Sequence, residues 1–139
     1  MTNAVKNVAK VVEEGYEGAE ILGIHFEGPY LDQVYKGAQP EQYCVKPDLE
    51  QFKRYLAASN NLIKIVTMAC EHDDNYELTK FLRANGIVCS QGHSGATFEQ
   101  ARLAIANGAN SMTHVFNGMT KFHHREPGLV GAAMRYRDV

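Results

Sequence analysis

The tripeptide Ala-Asn-Gly closes two apolar helical stripes, at residues 84–86 and again at 106–108, so that successive stops lie about 22 residues apart. Glycine at such a stop takes the left-handed conformation that ends a helix. Each stop is followed by a short burst of apolar and β-branched residues, "GIVCSQG" (86–92) and "NSMTHVFN" (110–117). Two earlier bursts, "AEILGIHFEG" (19–28) and "NLIKIVTMA" (61–69), belong to the same series and read as strands. Helical spacing fills the intervals: Val5, Val8 and Val12; Leu49, Phe52 and Leu56; Leu78, Phe81 and Leu82; Phe98, Ala101 and Ile105. Asp48, Asp74 and Thr97 each precede Gln or Glu by three positions, the spacing of a capping box, and so mark three helix starts.

The resulting order is α-β-α-β-α-β-α-β. Alternating β/α units imply an α/β fold with a parallel sheet and right-handed crossovers. A closed (β/α)8 barrel of the TIM type needs roughly 250 residues, and 139 residues have room for about half of one. Two architectures remain, a small open α/β sheet or a piece of a larger barrel. No linker, charge block or low-complexity tract divides the chain, which reads as a single partial domain over 1–139. Half a barrel leaves two unpaired strand edges, so self-association is expected.

Composition narrows the classes of partner. The chain is 45% hydrophobic and 22% charged with a formal net charge of −2, as in globular domains. Its lysines and arginines are scattered, which argues against nucleic acid. No apolar run approaches the ~18 residues that span a bilayer. The N-terminus lacks the apolar centre of a signal peptide, so a cytoplasmic location is expected. Cys44, Cys70 and Cys89 form no CxxC pair and read as reduced packing residues.

In parallel α/β folds ligands bind at the C-terminal ends of the strands. Those ends carry Glu27 in "HFEGPY", Glu71 and His72 in "ACEHD", His93 in "QGHSG" and His114 in "THVFNGM". Two imidazoles and one carboxylate suit Zn²⁺, or Fe²⁺ and similar ions, with a position left for water. Such an ion brings the pKa of bound water from about 15.7 to roughly 7 and polarises carbonyls, the two effects amide hydrolysis needs. Glu71 and His72 read instead as a solvated loop leading into the helix capped by Asp74. His123 and His124 read as polar loop residues that bind nothing. Asn117 and Gly118 could offer backbone N–H groups to an anion, and Arg125 could fork onto a phosphate.

"GIHFEGPYL…KGAQ", "GHSGATFEQA" and "THVFNGMTKFHHREPGLVGAAM" together resemble the N-acetylglucosamine-6-phosphate deacetylases of the amidohydrolase superfamily, in order and over nearly the whole chain. The resemblance implies a metal-bearing (β/α)8 barrel and removal of acetate from the amide nitrogen of a phosphosugar. It places the metal on Glu27, His93 and His114. It assigns Asn117, Gly118 and Arg125 to the phosphorylated substrate, with Ala38 touching it through the backbone. In the family the arginine can act on a neighbouring subunit's substrate, so a homodimer is implied.

Three departures qualify the resemblance. Where some relatives carry His after the position matching Ala38, this chain has Gln39, a hydrogen-bond donor at the acetyl carbonyl without charge. "ACE" at 69–71 stands where many relatives read "APE". The family's first barrel strand would precede Met1, and its acid–base aspartate would lie beyond Val139. The chain thus resembles the central part of the enzyme and is expected to turn over little by itself. Two other readings stay open: a non-catalytic α/β module that binds a phosphosugar or a partner protein, and a superfamily member acting on a different amide.

Overall fold

Four short strands pair side by side in chain order, β1 (Ile24–Glu27), β2 (Ile63–Met68), β3 (Val88–Gln91) and β4 (Ser111–Met112), and every pairing is parallel. The computed structural model describes residues 1–139. Helix α1 (Thr2–Glu14) precedes the first strand, α2 (Leu49–Ala58), α3 (Glu77–Ala84) and α4 (Phe98–Ala106) lie between successive strands, and α5 (Gly128–Arg135) follows the last. The strand order never reverses, so same-handed crossovers place successive helices on one face of the sheet. That is the winding of a barrel segment; a doubly wound sheet would reverse its strand order and carry helices on both faces.

Period-2 alternation separates the faces of the strands. Phe26, Val66, Met68 and Cys89 face the helices and join Phe52, Leu78 and Leu82 in the main core, each 2% exposed or less. Phe52 meets Phe26 and Phe81 edge-on at 6.0 and 6.2 Å between ring centroids, tying α2 to β1 and α3. The opposite face is polar. His25 Nε2 lies 2.7 Å from Thr67 Oγ1, which lies 2.7 Å from Thr113 Oγ1, itself 2.7 Å from Ser90 Oγ. This chain of hydroxyls gives Thr67 and Ser90 hydrogen-bond partners at 0% and 1% exposure.

Local signals act largely as the sequence implies. Thr97 and Gln100 form a reciprocal capping box, and Asp48 Oδ1 accepts from the Gln51 amide at 2.7 Å. At both Asn-Gly stops the glycine has positive φ, 69° at Gly86 and 123° at Gly108. The amides of Ile87 and Ala109 reach back to the carbonyls of Leu82 and Ala104, closing each helix. The three cysteines are free and buried, with Cys70 and Cys89 Sγ atoms 3.7 Å apart.

Two expectations need correction. Asp74 does not cap α3; it is exposed, and the buried Asp73 accepts from the Leu78 and Thr79 amides (3.2 and 2.7 Å) and from the Thr79 hydroxyl (2.7 Å). Asn75 and Tyr76 take left-handed conformations (φ 54° and 56°), which moves the helix start beyond the reach of a cap three residues earlier. The order also extends to α5, whose sequence "GLVGAAMR" is short, apolar and carries two glycines, poor helix formers. Packing stabilises it: Leu129, Val130 and Ala132 bury against Ala96, Ala101 and Met119.

Because Asp73 holds the first amides of α3, Asp73→Ala should cost about 1–2 kcal/mol. Asp74→Ala should stay within about 0.5 kcal/mol. Urea unfolding of the two variants checks both expectations.

Candidate metal centre

Glu27 ends β1, His93 lies two residues beyond β3, and His114 lies two residues beyond β4. Parallel pairing brings these ends to one edge of the sheet, and one ligand atom from each falls within 4.8 Å of the others. His93 Nε2 lies 2.7 Å and His114 Nε2 2.9 Å from the same oxygen, Glu27 Oε1. The two rings stand nearly perpendicular, with centroids 5.3 Å apart.

Both histidines occupy left-handed backbone conformations, φ 49° at His93 and 55° at His114. Such conformations cost about 1–3 kcal/mol each for residues with a side chain and concentrate at functional sites. Surrounding residues make room for them. A Cβ on Gly92 would meet Thr113 Cβ at 2.9 Å, so only glycine fits directly before His93. Gly37 and Gly118 flank the His93 ring: a Cβ on either would stand 3.4 or 3.3 Å from it.

The donor atoms fit a cation. His93 Nδ1 lies 2.8 Å from the Tyr35 carbonyl oxygen, which can only accept, so Nδ1 carries a proton. A neutral His93 then turns the Nε2 lone pair towards Glu27 Oε1. Two lone pairs do not face each other at 2.7 Å without positive charge between them, either a proton or a metal ion. A carbonyl holding the outer nitrogen of a ligating histidine is also the usual second layer of metal sites. Burial raises the Glu27 carboxyl, but hydrogen bonds and charge attraction from His93 and His114 outweigh it and hold the group below the ordinary carboxylate range.

The other residues singled out from the sequence fall in several places. Gln39 is exposed and lines, with Glu27, a cleft of about 350 Å³ between β1, α2 and the loop at 39–45. Ala38 is exposed beside it. Gly118 packs against the His93 ring and, through its carbonyl, accepts the Ser94 amide at 3.1 Å. Asn117 is exposed and its amide turns back to the His114 carbonyl. Arg125 is exposed, its Nε donates to His124 Nε2, and it does not line the cleft. His123 and His124 form an exposed ring pair.

Contrary to expectation, Glu71 is not solvated, whereas the His72 side chain is partly exposed. They sit in a short 3-10 turn, Cys70–His72, anchored by the buried Cys70, and the Glu71 side chain is only 5% exposed. Its two oxygens accept from the Ser94 hydroxyl and the Gly95 amide, and burial pushes its carboxyl up. His72 pairs with Asp32 at 2.9 Å. Burial raises Asp32 as well, but the hydrogen bonds from His72, Val34 and Tyr35 prevail and lower it. Tyr35 and Gly37 had no signal in the sequence, because their contribution is made by a backbone carbonyl and by an absent side chain; Asp32 had none because its partner His72 lies 40 positions away.

Comparison with known proteins agrees on one family. The chain is 43% identical over 124 residues to an N-acetylglucosamine-6-phosphate deacetylase of Bacillus subtilis, covering 89% of this chain and 31% of that protein. It is 35% identical over 131 residues to an N-acetylgalactosamine-6-phosphate deacetylase of Escherichia coli O157:H7, covering 94% of this chain and 35% of that one. The crystal structure of N-acetyl-D-glucosamine-6-phosphate deacetylase from Mycobacterium smegmatis superposes with a TM-score of 0.90 at 34% identity, over 99% of this chain and 35% of that chain. A mutant of that mycobacterial enzyme matches equally well and is in complex with N-acetyl-D-glucosamine-6-phosphate. No protein-family model matches. The chain spans about a third of the length of the curated relatives it matches. No helix is long and apolar enough to cross a membrane.

Glu27 and Asp32 are both depressed by their partners, so the stability they add is complete above the ordinary carboxylate range and lost as pH falls through their lowered values. Thermal melts of metal-free protein should show the wild type falling steeply below about pH 4. A Glu27→Gln/Asp32→Asn variant should melt lower at neutral pH, and the gap should close on acidification.

Proposed function

The chain belongs to the N-acetylglucosamine-6-phosphate deacetylase family, and on that premise we propose that its protein hydrolyses the N-acetyl amide of N-acetylglucosamine 6-phosphate, giving glucosamine 6-phosphate and acetate. The observation that carries the reading is the convergence of His93 and His114 on one carboxylate oxygen of Glu27. Four β/α units, about half of a (β/α)8 barrel, position them.

In this reading the three residues hold one divalent cation, Zn²⁺ being the ion this donor set suits best, with Fe²⁺ or a similar ion also fitting. A cation so held acidifies water and polarises a carbonyl. Tyr35 keeps the His93 proton on Nδ1, which leaves Nε2 free to bind. Gln39, on the rim of the cleft beside Glu27, donates a hydrogen bond to the acetyl carbonyl. The exposed backbone at Ala38 and at Asn117-Gly118 meets the sugar phosphate. Arg125 is assigned to the phosphate of the partner's substrate across a homodimer interface, and its exposure leaves it accessible for that role. The cluster contains no carboxylate besides Glu27. The group that takes a proton from water and returns it to the leaving amine is assigned to the family's acid–base aspartate, a residue other than these three. Without that group a loss of about 10²–10⁴-fold is typical, so the isolated 139 residues turn over little.

The relative acting on the galactosamine sugar makes the epimer a specific alternative. Acetate release by the full-length protein from N-acetylglucosamine 6-phosphate, N-acetylgalactosamine 6-phosphate and unphosphorylated N-acetylglucosamine decides between them. The glucosamine phosphate should be preferred, and Arg125→Ala should raise KM more than it lowers kcat. Metal analysis should find about one equivalent of ion, lost in His93→Ala and His114→Ala. Ion-free active protein, or equal rates with and without phosphate, would refute the proposal.

A further inference from the structure

Three acidic and imidazole side chains lie beside the metal centre without joining it. Asp32, Glu71 and His72 bring their ligand atoms within 4.8 Å of one another, which invites a second cation site. Their hydrogen bonds point elsewhere. Asp32 Oδ1 accepts from the Val34 and Tyr35 amides at 2.8 and 3.1 Å, and Oδ2 from His72 Nε2 at 2.9 Å. Glu71 Oε1 accepts from the Gly95 amide at 2.6 Å and Oε2 from the Ser94 hydroxyl at 2.8 Å. All four carboxylate oxygens are engaged by the chain's own donors. These hydrogen bonds hold the cluster together without a cation.

What these partners share is His93. Ser94 and Gly95 follow it directly, and Glu71 grips both. Tyr35, whose amide Asp32 holds, presents its carbonyl to His93 Nδ1 at 2.8 Å. The Asp32 amide itself donates to the His93 carbonyl at 2.9 Å. His93 therefore has its ring braced from the β1 loop and its following turn braced from the end of β2. A residue in the left-handed region keeps that conformation only where its surroundings impose it.

We infer that Asp32, Glu71 and His72 form a positioning clamp for His93, in which Glu71 fixes the left-handed turn and Asp32, through the Tyr35 carbonyl, fixes the rotation and tautomer of the ring. His72 Nε2 hydrogen-bonds Asp32 and stands 4.0 Å from Glu71 Oε1. None of the three touches substrate or cation; they act through His93. The inference rests on the metal-binding reading of Glu27, His93 and His114 and deepens it.

The test is Co²⁺ binding to the full-length protein, in competition with a chelator. The absorption spectrum of the bound cobalt and the melting temperature of the metal-free protein are followed alongside. Glu71→Gln keeps the size of the side chain and an acceptor, but sets an amide NH₂ where one of the two donors now points. Affinity should fall roughly 10- to 100-fold, as when outer partners of metal ligands are removed, with a changed cobalt spectrum. Asp32→Asn should act likewise from the ring side. Ser94→Ala removes a single hydroxyl from the same contact, and it serves if either of the other variants fails to fold.

Wild-type affinity and spectrum in the folded variants, with only the melting temperature lowered, would overturn the clamp and leave the metal centre standing. A second cobalt ion lost in Glu71→Gln would overturn it in favour of a second cation site. No cobalt bound by the wild type, or binding unchanged by His93→Ala, would remove the metal centre itself and the clamp with it.

Discussion

Glu27 and His93 are 66 positions apart in the chain and meet at 2.7 Å. That contact exists because β1, β2 and β3 run parallel in sequential register, which carries the ends of the strands to one rim. His114 reaches the same carboxylate oxygen from beyond β4. One oxygen shared by two imidazole nitrogens concentrates negative charge where positive charge is needed, and the rest of the site is arranged to keep it so. The Tyr35 carbonyl holds the far side of the His93 ring, and Gly37 and Gly118 leave the space that ring occupies.

The sheet separates two kinds of chemistry. Its helix-facing side is dry and aromatic, built on Phe26, Phe52 and the neighbouring aliphatic residues. Its other side carries the linked side chains of His25, Thr67, Thr113 and Ser90, one layer beneath the histidines. Burying hydroxyls is costly unless they are paired, and here each has a partner. The apolar face therefore supplies the stabilisation, and the polar face carries the site. The left-handed backbone at His93 and His114 is tolerated on the same terms, because neighbouring contacts hold it.

Much of this was legible from residue order, and the parts that were not share a cause. Thr97 and Gln100 form the capping box their spacing implies, since both partners lie within one turn. The Asn-Gly stops end helices for equally local reasons. Asp73 and Asp74 could not be told apart, because the choice turns on left-handed residues at Asn75 and Tyr76. Helix α5 has no clear local signal because its two glycines disfavour a helix, and packing against α4 and Met119 stabilises it. Glu71 looked solvated because its hydrogen-bond donors, Ser94 and Gly95, are more than 20 positions away.

Sequence alone determined the alternation of strands and helices, the strand ends that bear Glu27, His93 and His114, and the family to which their motifs point. These depend on periodicity, local capping and residue identity, which are properties of short stretches. Tertiary structure alone decided that two imidazoles converge on one Glu27 oxygen, that Asp32 and Glu71 hydrogen-bond the segments on either side of His93, and that Arg125 stands clear of the cleft. Those outcomes depend on distances between segments far apart in the chain, and such distances exist only once the parallel strands have paired.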